Sequence, residues 1–392
     1  MTRTALISGA GVGGLTAALA LARRGWSVRV LERAEAFGEV GAGIQQSPNA
    51  MRVHQALGTA GALRAVSFAP EAATIRDGRT GRALVRVPLG APAEARYGAP
   101  YLHCHRADLH GVLAAACEAA GVTVETGAVV TGYEPGALLT ADGARGADLI
   151  VGADGARSVI RAQMGAPAPH YTGDAAWRAL VPREALPHGF LGGTLPTETV
   201  SWTGPGRHVV TYAVREGTLV NLVAVTERGW TEEGWSVAGQ PEELRAAFAS
   251  FAAPVRTLLE AAEAVSLWGL FARPPLPRWS DAAVTLLGDA AHPMLPYLAQ
   301  GASMALEDAW VLAERVARLG VPAGLRAYEA ARRPRTARLV RQSQENRAMF
   351  HGGPGLSSAL GTAKMRAARL VPQAALARLD GIYGADVTAS AI

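Results

Sequence analysis

Between two short apolar strands, the run Gly9-Ala-Gly11-Val-Gly13-Gly14 restricts the N-terminal region of this chain to very few folds. Thr4–Ser8 reads as a buried strand, Leu15–Arg24 as a helix ended by Gly25 in a left-handed cap, and Ser27–Leu31 as the next strand. Together they form a βαβ unit of roughly 30 residues, a building block of parallel sheets. Gly9 permits the tight turn, Gly11 lets the backbone approach a pyrophosphate, Gly13 shares the turn, and Gly14 lets the helix pack on the strand. The helix N-terminus offers unpaired N–H groups and partial positive charge to phosphates. Glu32, with Arg33 beside it, ends the second strand and can accept hydrogen bonds from ribose hydroxyls. These features predict a dinucleotide site. They do not separate FAD from NAD.

At 392 residues the chain exceeds one ordinary core and is expected to form at least two lobes. Its formal charge of +5 comes from scattered arginines, with Lys364 as sole lysine, so no nucleic-acid surface is indicated. The field favours anionic small molecules. Cys104 and Cys117 form no CxxC pair, and His103 and His105 have no further ligands nearby, so neither a disulfide framework nor a metal site is expected. The first residues run straight into a strand, no apolar stretch spans a membrane, and a cytoplasmic setting is expected.

Further along, Ser47-Pro48 reads as the start of a helix to Leu57, and residues 72–98 as irregular. Asp108–Ala120 is a helix, Val122–Glu125 a strand, Asp142-Gly143 a hairpin turn, and Asp148–Val151 another buried strand. Residues 175–227 break into the alternating runs Trp177–Val181, Thr199–Trp202, His208–Val214 and Leu219–Thr226, the pattern of an antiparallel sheet. Pro241–Ala262 reads as one helix, Ala283–Leu287 as a strand, and Ala302–Arg318 and Ala323–Met349 as helices. The fold class is α/β: a discontinuous Rossmann-like domain with an inserted mixed, largely antiparallel sheet and C-terminal helices.

Two later segments choose between the dinucleotides. Asp148-Leu-Ile-Val-Gly-Ala-Asp154-Gly155-Ala-Arg157-Ser158 places an acid and an Arg-Ser pair after a buried strand. Leu286-Leu-Gly288-Asp289-Ala-Ala-His292-Pro293 repeats the strand-then-acid order and leads into Gln300-Gly301 and Asp308. With these three ordered motifs the chain resembles the group A FAD-dependent aromatic hydroxylases (the para-hydroxybenzoate hydroxylase fold) over nearly its whole length. Gly41-Ala-Gly43-Ile-Gln-Gln-Ser-Pro-Asn49 and His292–Gly301 are most similar to the salicylate, 3-hydroxybenzoate and 6-hydroxynicotinate branch.

The resemblance implies FAD as cofactor, NADH or NADPH as cosubstrate, and hydroxylation of a small, carboxylate-bearing phenol or hydroxypyridine by dioxygen through a flavin hydroperoxide. It implies FAD-binding segments at 1–71, 99–172 and 273–350, substrate segments at 72–98 and 173–272, and a helical tail at 351–392. Asp289 is expected at the ribityl chain, with helix capping as its competing role. Gly301 and Ala302 are expected to open a helix facing the flavin pyrimidine, where its dipole favours the anionic reduced ring. Arg106 is expected at the phosphates or ribityl, with a plain surface arginine as the alternative. Asp154 with Arg157 is expected near both dinucleotides, a structural turn being the alternative, and Gly43 under the isoalloxazine.

His208 and Tyr212 lie four apart, an even spacing that puts both on one face of a strand, and they resemble the His/Tyr pair of the 6-hydroxynicotinate hydroxylases. His208 is expected as base or relay, with Tyr212 and Tyr297 orienting the ring. The competing reading is an ordinary sheet histidine and packing tyrosines. His292 is expected to be structural or flavin-proximal. A halogenase would need a mid-chain lysine, which is absent. A flavin-dependent epoxidase or hydroxylase of a larger natural-product intermediate remains the alternative. A monomer or homodimer is compatible with all of this.

Overall fold

A computed structural model describes residues 2–38, 42–190, 197–352 and 372–389. Strands Thr4–Ser8 and Ser27–Leu31 form where the sequence predicts, because each is a short, mostly buried apolar run, the first stopped by Gly9 and the second set off from the helix by Gly25, both glycines at positive φ. They lie in a six-stranded sheet ordered Ser280–Asp281, Val284–Leu286, Leu149–Gly152, Thr4–Ser8, Ser27–Leu31, Thr123–Glu125. All its pairings are parallel except that of the Ser280–Asp281 edge. Helices Val12–Ala22, Arg106–Ala119 and Gly301–Leu319 cover it and share one core with Ile7, Leu15 and Leu306.

The second sheet has eight strands ordered Ser236–Ala238, Ser266–Ala272, His170–Pro182, Leu219–Glu227, Arg207–Val214, Glu198–Gly204, Ala72–Asp77, Ala83–Pro88. Only the Glu198–Gly204/Ala72–Asp77 pairing is parallel, so the sheet is mixed and largely antiparallel. Its two faces differ. Trp177, Val200, Trp202, Val209 and Leu222 point to one side and are sealed by Leu244, Phe248, Phe251 and Leu258. The alternate residues point the other way, toward the nucleotide-binding half.

Several expectations are corrected. The glycine-turn helix begins at Val12, not Leu15, because the last two glycines of the motif already lie within it. Residues 72–98 are regular: strands Ala72–Asp77 and Ala83–Pro88 extend the sheet, and helix Gly90–Tyr97 follows. The predicted helix Pro241–Ala262 is two, Pro241–Ala247 and Ala253–Glu260, since Phe248 and Phe251 turn into the core and Pro254 restarts the helix. Residues 141–142 form the hairpin loop, with Gly143 at positive φ opening the returning strand. Strands without a sequence expectation include Gly43–Gln46, Leu102–His105 and Ser266–Ala272.

The 30-residue helix Val321–Phe350 packs along Gly301–Leu319, and helices Pro372–Ala377 and Asp380–Tyr383 return the chain toward helix Pro48–Ala56, where Arg52 donates to the Tyr383 and Ala385 carbonyls at 3.0 and 2.8 Å. Gly41 and the Ala/Arg-rich stretch 353–371 lie outside the described residues. Among the described residues no helix is long and apolar enough to cross a membrane.

Candidate active site

The glycine motif divides its labour. A Cβ on Gly14 would lie 1.9 Å from the Gly9 carbonyl oxygen, one on Gly9 2.5 Å from the Ala153 carbonyl oxygen, and one on Gly13 2.7 Å from Leu287, so these three are required by packing. A Cβ on Gly11 would meet nothing within 4 Å. Gly11 is also the N-cap of helix Val12–Ala22 and places no side chain over its N-terminal N–H groups. Space, donors and dipole therefore coincide, as a pyrophosphate needs. Glu32 accepts from the Ala10 N–H at 2.8 Å and the Ala34 N–H at 3.0 Å, which fixes its carboxylate beside the turn. Arg33 is exposed.

Across the cleft, Asp289 sits among packed atoms that raise its proton affinity, yet its side chain stays open to solvent and makes no hydrogen bond among the described residues. Arg106 is the first residue of helix Arg106–Ala119 rather than the residue before a helix at Asp108. Its exposed guanidinium likewise forms no ion pair, although its field reaches Asp289. Gly301 opens its helix within van der Waals reach of Asp289, a Cβ there lying 3.7 Å from Oδ1. Asp154 uses Oδ2 to accept from the Val159 N–H at 2.9 Å, leaving Oδ1 buried without a partner. An open glycine turn, an unpaired acid, an unpaired arginine and a bare helix N-terminus fit an elongated anionic dinucleotide.

Beneath this cleft lies a paired charge network, in which His292 Nδ1 is the buried atom left without a partner among the described residues. Asp308 accepts from Arg332 Nε at 2.6 Å and from the Gly288 N–H at 3.1 Å, and it holds His292 Nε2 at 2.5 Å. Glu307 accepts from Arg332 at 2.6 Å, Arg335 at 2.7 Å and Asn49 at 2.7 Å. Asn49 reaches on to Gln300, and Gln300 donates to Ser47 Oγ at 2.9 Å. Ser47 stands at the N-cap position but bonds the Asn49 side chain instead of a helix N–H. The Asn49, His292, Gln300 and Asp308 motif positions thus tie three helices and the Gly288 turn together. His292 is structural, and Asp308, held down to about 2, stays ionised against the cost of burial because His292 and Arg332 face it.

The sheet face opposite is the reverse. In register, Tyr212 pairs with Asn221 and His208 with Val225, and between them Val210 pairs with Val223, which pairs with Arg178. His208 and Tyr212 share a face as predicted but stand about 13 Å apart along the strand, so they serve opposite ends. Tyr212 packs on His103, with ring centroids 4.6 Å apart, and against Gly43, where a Cβ would fall 2.5 Å from its ring. Gly43 is therefore required by the Tyr212 contact, and its N–H donates to Asn221 Oδ1 at 2.6 Å. Asn221 Nδ2 is left buried and unpartnered.

Arg178 was not anticipated. Its guanidinium lies over the Trp268 ring at 5.2 Å and makes no hydrogen bond or ion pair among the described residues. Burial lowers its pKa, Tyr212 partly offsets this, and its charged neighbour Arg106 repels it. The signal was present: Asp174 and Arg178 occupy alternate positions of an otherwise apolar strand, Ala175 to Val181.

At the other end, His208 Nδ1 lies 2.9 Å from His351 Nε2, and its ring is 5.6 Å from Tyr297 and 5.0 Å from Phe350. Burial and the neighbouring His351 hold His208 neutral, well below the usual histidine range. The Tyr297 hydroxyl donates to Asp174, which Arg347 clamps at 2.5 and 2.7 Å. Tyr297 is thus committed to the wall, and burial with Asp174 raises its pKa, so its hydroxyl is no base. Asp174, Glu227 and His351 converge as three possible metal ligands, but the Arg347 guanidinium already bridges the two carboxylates. His103 donates or accepts with Thr199 Oγ1 at 2.8 Å, and His105 caps the Arg106 helix. Cys104 and Cys117 are free and buried.

The dinucleotide cleft beside a polar sheet face, taken with the relatives below, makes this chain an FAD-dependent aromatic monooxygenase. The FAD binding domain family model matches residues 2–343, and the chain belongs to that family. It is 41% identical over 369 residues to 3-amino-4-hydroxybenzoate 2-monooxygenase PtnB3 of Streptomyces platensis, covering 89% of this chain and 88% of that one. It is 38% identical to 6-hydroxynicotinate 3-monooxygenase of Bordetella bronchiseptica, covering 87% of this chain and 90% of the relative. A salicylate hydroxylase substrate complex superposes with a TM-score of 0.82 at 27% identity, over 99% of this chain and 97% of that one.

Proposed function

We propose that this enzyme uses NAD(P)H and dioxygen to hydroxylate a small aromatic carboxylate that already carries a ring hydroxyl. The unpaired Arg178 supports this most. A guanidinium held on the site face with no acid beside it is a partner awaiting an anion, and a carboxylate meets it with two parallel hydrogen bonds. The relatives named above act on compounds of this class, an aminohydroxybenzoate and a hydroxynicotinate.

The chain's own residues take distinct parts. Gly11, with the motif glycines around it, the bare helix N-terminus, Glu32, Arg106, Asp154, Asp289 and Gly301–Ala302 hold the cofactor, with Arg33 at the rim. When bound, FAD supplies the electron transfer and oxygen activation that no side chain here can provide. Arg178 anchors the carboxylate and the Tyr212 end lines the ring. His208 is kept neutral and has Nε2 without a hydrogen-bond partner among the described residues, so it can accept the ring hydroxyl's proton and enrich the carbon that is attacked. Tyr297 holds the wall behind His208. The aromatic lining of Tyr297, Phe350 and Tyr212 keeps water from the reacting ring.

The test is a flavin spectrum of the purified enzyme, with NADH and NADPH oxidation followed across a panel of hydroxylated benzoates, aminobenzoates and pyridine carboxylates. Oxidation stimulated by one member, with a hydroxylated product, is expected. Stimulation by neutral phenols and by none of the acids would overturn the anchor, and would favour epoxidation or a larger ring system.

A further inference from the structure

The His208 end of the pocket does not stop at His208. Behind it lies His351, the residue that follows the long helix Val321–Phe350, and behind His351 lies Glu227, the last residue of strand Leu219–Glu227. The contacts run in one direction: His208 Nδ1 hydrogen-bonds His351 Nε2 at 2.9 Å, and His351 Nδ1, buried without a hydrogen bond among the described residues, faces Glu227 Oε1 at 3.5 Å. The side-chain exposure changes along the series, from 3% at His351 to 52% at Glu227. A buried imidazole pair therefore ends on a carboxylate in solvent.

We propose that His351 and Glu227 form a proton exit from the active site, passing the proton that His208 takes from the substrate hydroxyl to bulk water. This rests on the reading of His208 given above. The bookkeeping closes without any further reactant. The substrate O–H breaks as its proton bonds to His208 Nε2, and His208 gives its Nδ1 proton to His351 Nε2. His351 gives its Nδ1 proton to Glu227, which releases it to water. Each imidazole ends as the other neutral tautomer, and the phenolate is the only net charge created inside.

The surroundings suit that task. Asp174 lies opposite Glu227 across the strand pair, and its nearer oxygen is 3.9 Å from His351 Nδ1. Arg347 spans both acids, at 2.5 Å from Asp174 and 3.0 Å from Glu227, and Tyr297 donates to Asp174. The ionisable groups facing His351 are thus His208, Asp174, Glu227, Arg347 and Tyr297. Asp174 is tied by two donors, whereas Glu227 keeps an exposed oxygen and is the terminus free to exchange. Burial disfavours imidazolium at both histidines, which suits concerted transfer through neutral rings. A plain structural pair would not need to end at the surface.

The experiment uses the FAD-loaded enzyme and 4-hydroxy-3-nitrobenzoate, whose phenolate is coloured, as the probe. Bound probe is jumped in pH and its ionisation rate is read by absorbance. The variants are His351→Gln, Glu227→Gln and His208→Gln. Glu227→Gln alters an exposed side chain, and therefore keeps the test available if the buried variants fold poorly. Slowing of about tenfold or more in His351→Gln, and a smaller slowing in Glu227→Gln, with probe affinity within about twofold of wild type, is expected. The wild-type solvent deuterium effect should shrink in Glu227→Gln. Wild-type rates in His351→Gln and Glu227→Gln alongside a slow His208→Gln would overturn the exit and leave the His208 reading standing. Wild-type rates in all three, or no binding of the probe, would overturn both.

Discussion

Two buried polar regions lie within this molecule, and they are built on opposite rules. Under the cofactor cleft, Glu307, Asp308, Arg332 and Arg335 neutralise one another completely, and Asn49, Gln300 and His292 complete the network. On the sheet face, Arg178, Asn221 Nδ2 and the Tyr212 hydroxyl have no hydrogen-bond or ion-pair partner among the described residues. Polar groups buried with partners specify structure. Polar groups placed there without partners cost stability and are retained where a ligand satisfies them. Residue type alone does not separate the two regions, since both contain arginine, histidine and amide side chains.

The largest effect should come from breaking the satisfied region. Glu307→Ala leaves Arg332 and Arg335 facing each other without their shared acid, and a loss of about 3–5 kcal/mol in urea unfolding is expected. A loss under about 1 kcal/mol would show that the network is no more than a solvated cluster.

Acid should then act on two windows. His54 and His103, held down to about 4 and about 3 by burial, take up protons on unfolding below their ordinary 6.5. Because the unfolded chain binds the extra protons, stability is full above pH 6.5 and falls as pH drops toward 4, by on the order of 2 kcal/mol for each histidine at pH 5. Asp308 is shifted the same way, from its ordinary 3.8 to about 2, so its contribution is intact above pH 3.8 and is lost only as pH falls through 2. A urea midpoint flat from pH 7 to 5 would contradict the first window.

Changing the unsatisfied region should do the opposite to stability. Arg178→Met removes a charge with no partner, so the melting temperature should hold or rise. KM for an aryl carboxylate should rise about 10- to 100-fold, the worth of about 1.5–3 kcal/mol for a charged hydrogen bond. A destabilised protein with unchanged KM would place Arg178 with the scaffold. The smallest effect separates two glycines of one motif. Gly11→Ala should fold and melt as wild type yet bind FAD about tenfold more weakly, because its methyl points into open space. Gly14→Ala, facing a carbonyl at 1.9 Å, should lose stability before binding can be measured. Equal behaviour of the two would erase that division.

Local chemistry explains what was legible in the sequence. Strands Thr4–Ser8 and Ser27–Leu31 were readable to the residue because glycines bound the βαβ turn between them, and helices Gly301–Leu319 and Val321–Phe350 because they are long runs free of glycine breaks in their interiors past Gly324. Strands Gly43–Gln46 and Leu102–His105 were not, since each is four residues long and is stabilised by pairing with the other across 59 or so intervening positions. The joint at 248–252 was hidden because helix propensity continues across it while two phenylalanines turn inward.

By itself, the sequence determined the dinucleotide turn, the order of the three cofactor segments, the family and the shared face of His208 and Tyr212. Those depend on backbone steric limits and on period-2 alternation, which act between neighbours in the chain. The tertiary structure alone decided that Arg178 stands unpaired while Arg332 does not, that Tyr297 is tied to Asp174, and that His208 backs onto His351. Those outcomes depend on which partner is brought within about 3 Å, from 24 residues away for Arg332 and Asp308 to 143 for His208 and His351. No local rule sets that distance, because it is the packing of the two sheets and the long helix that closes it.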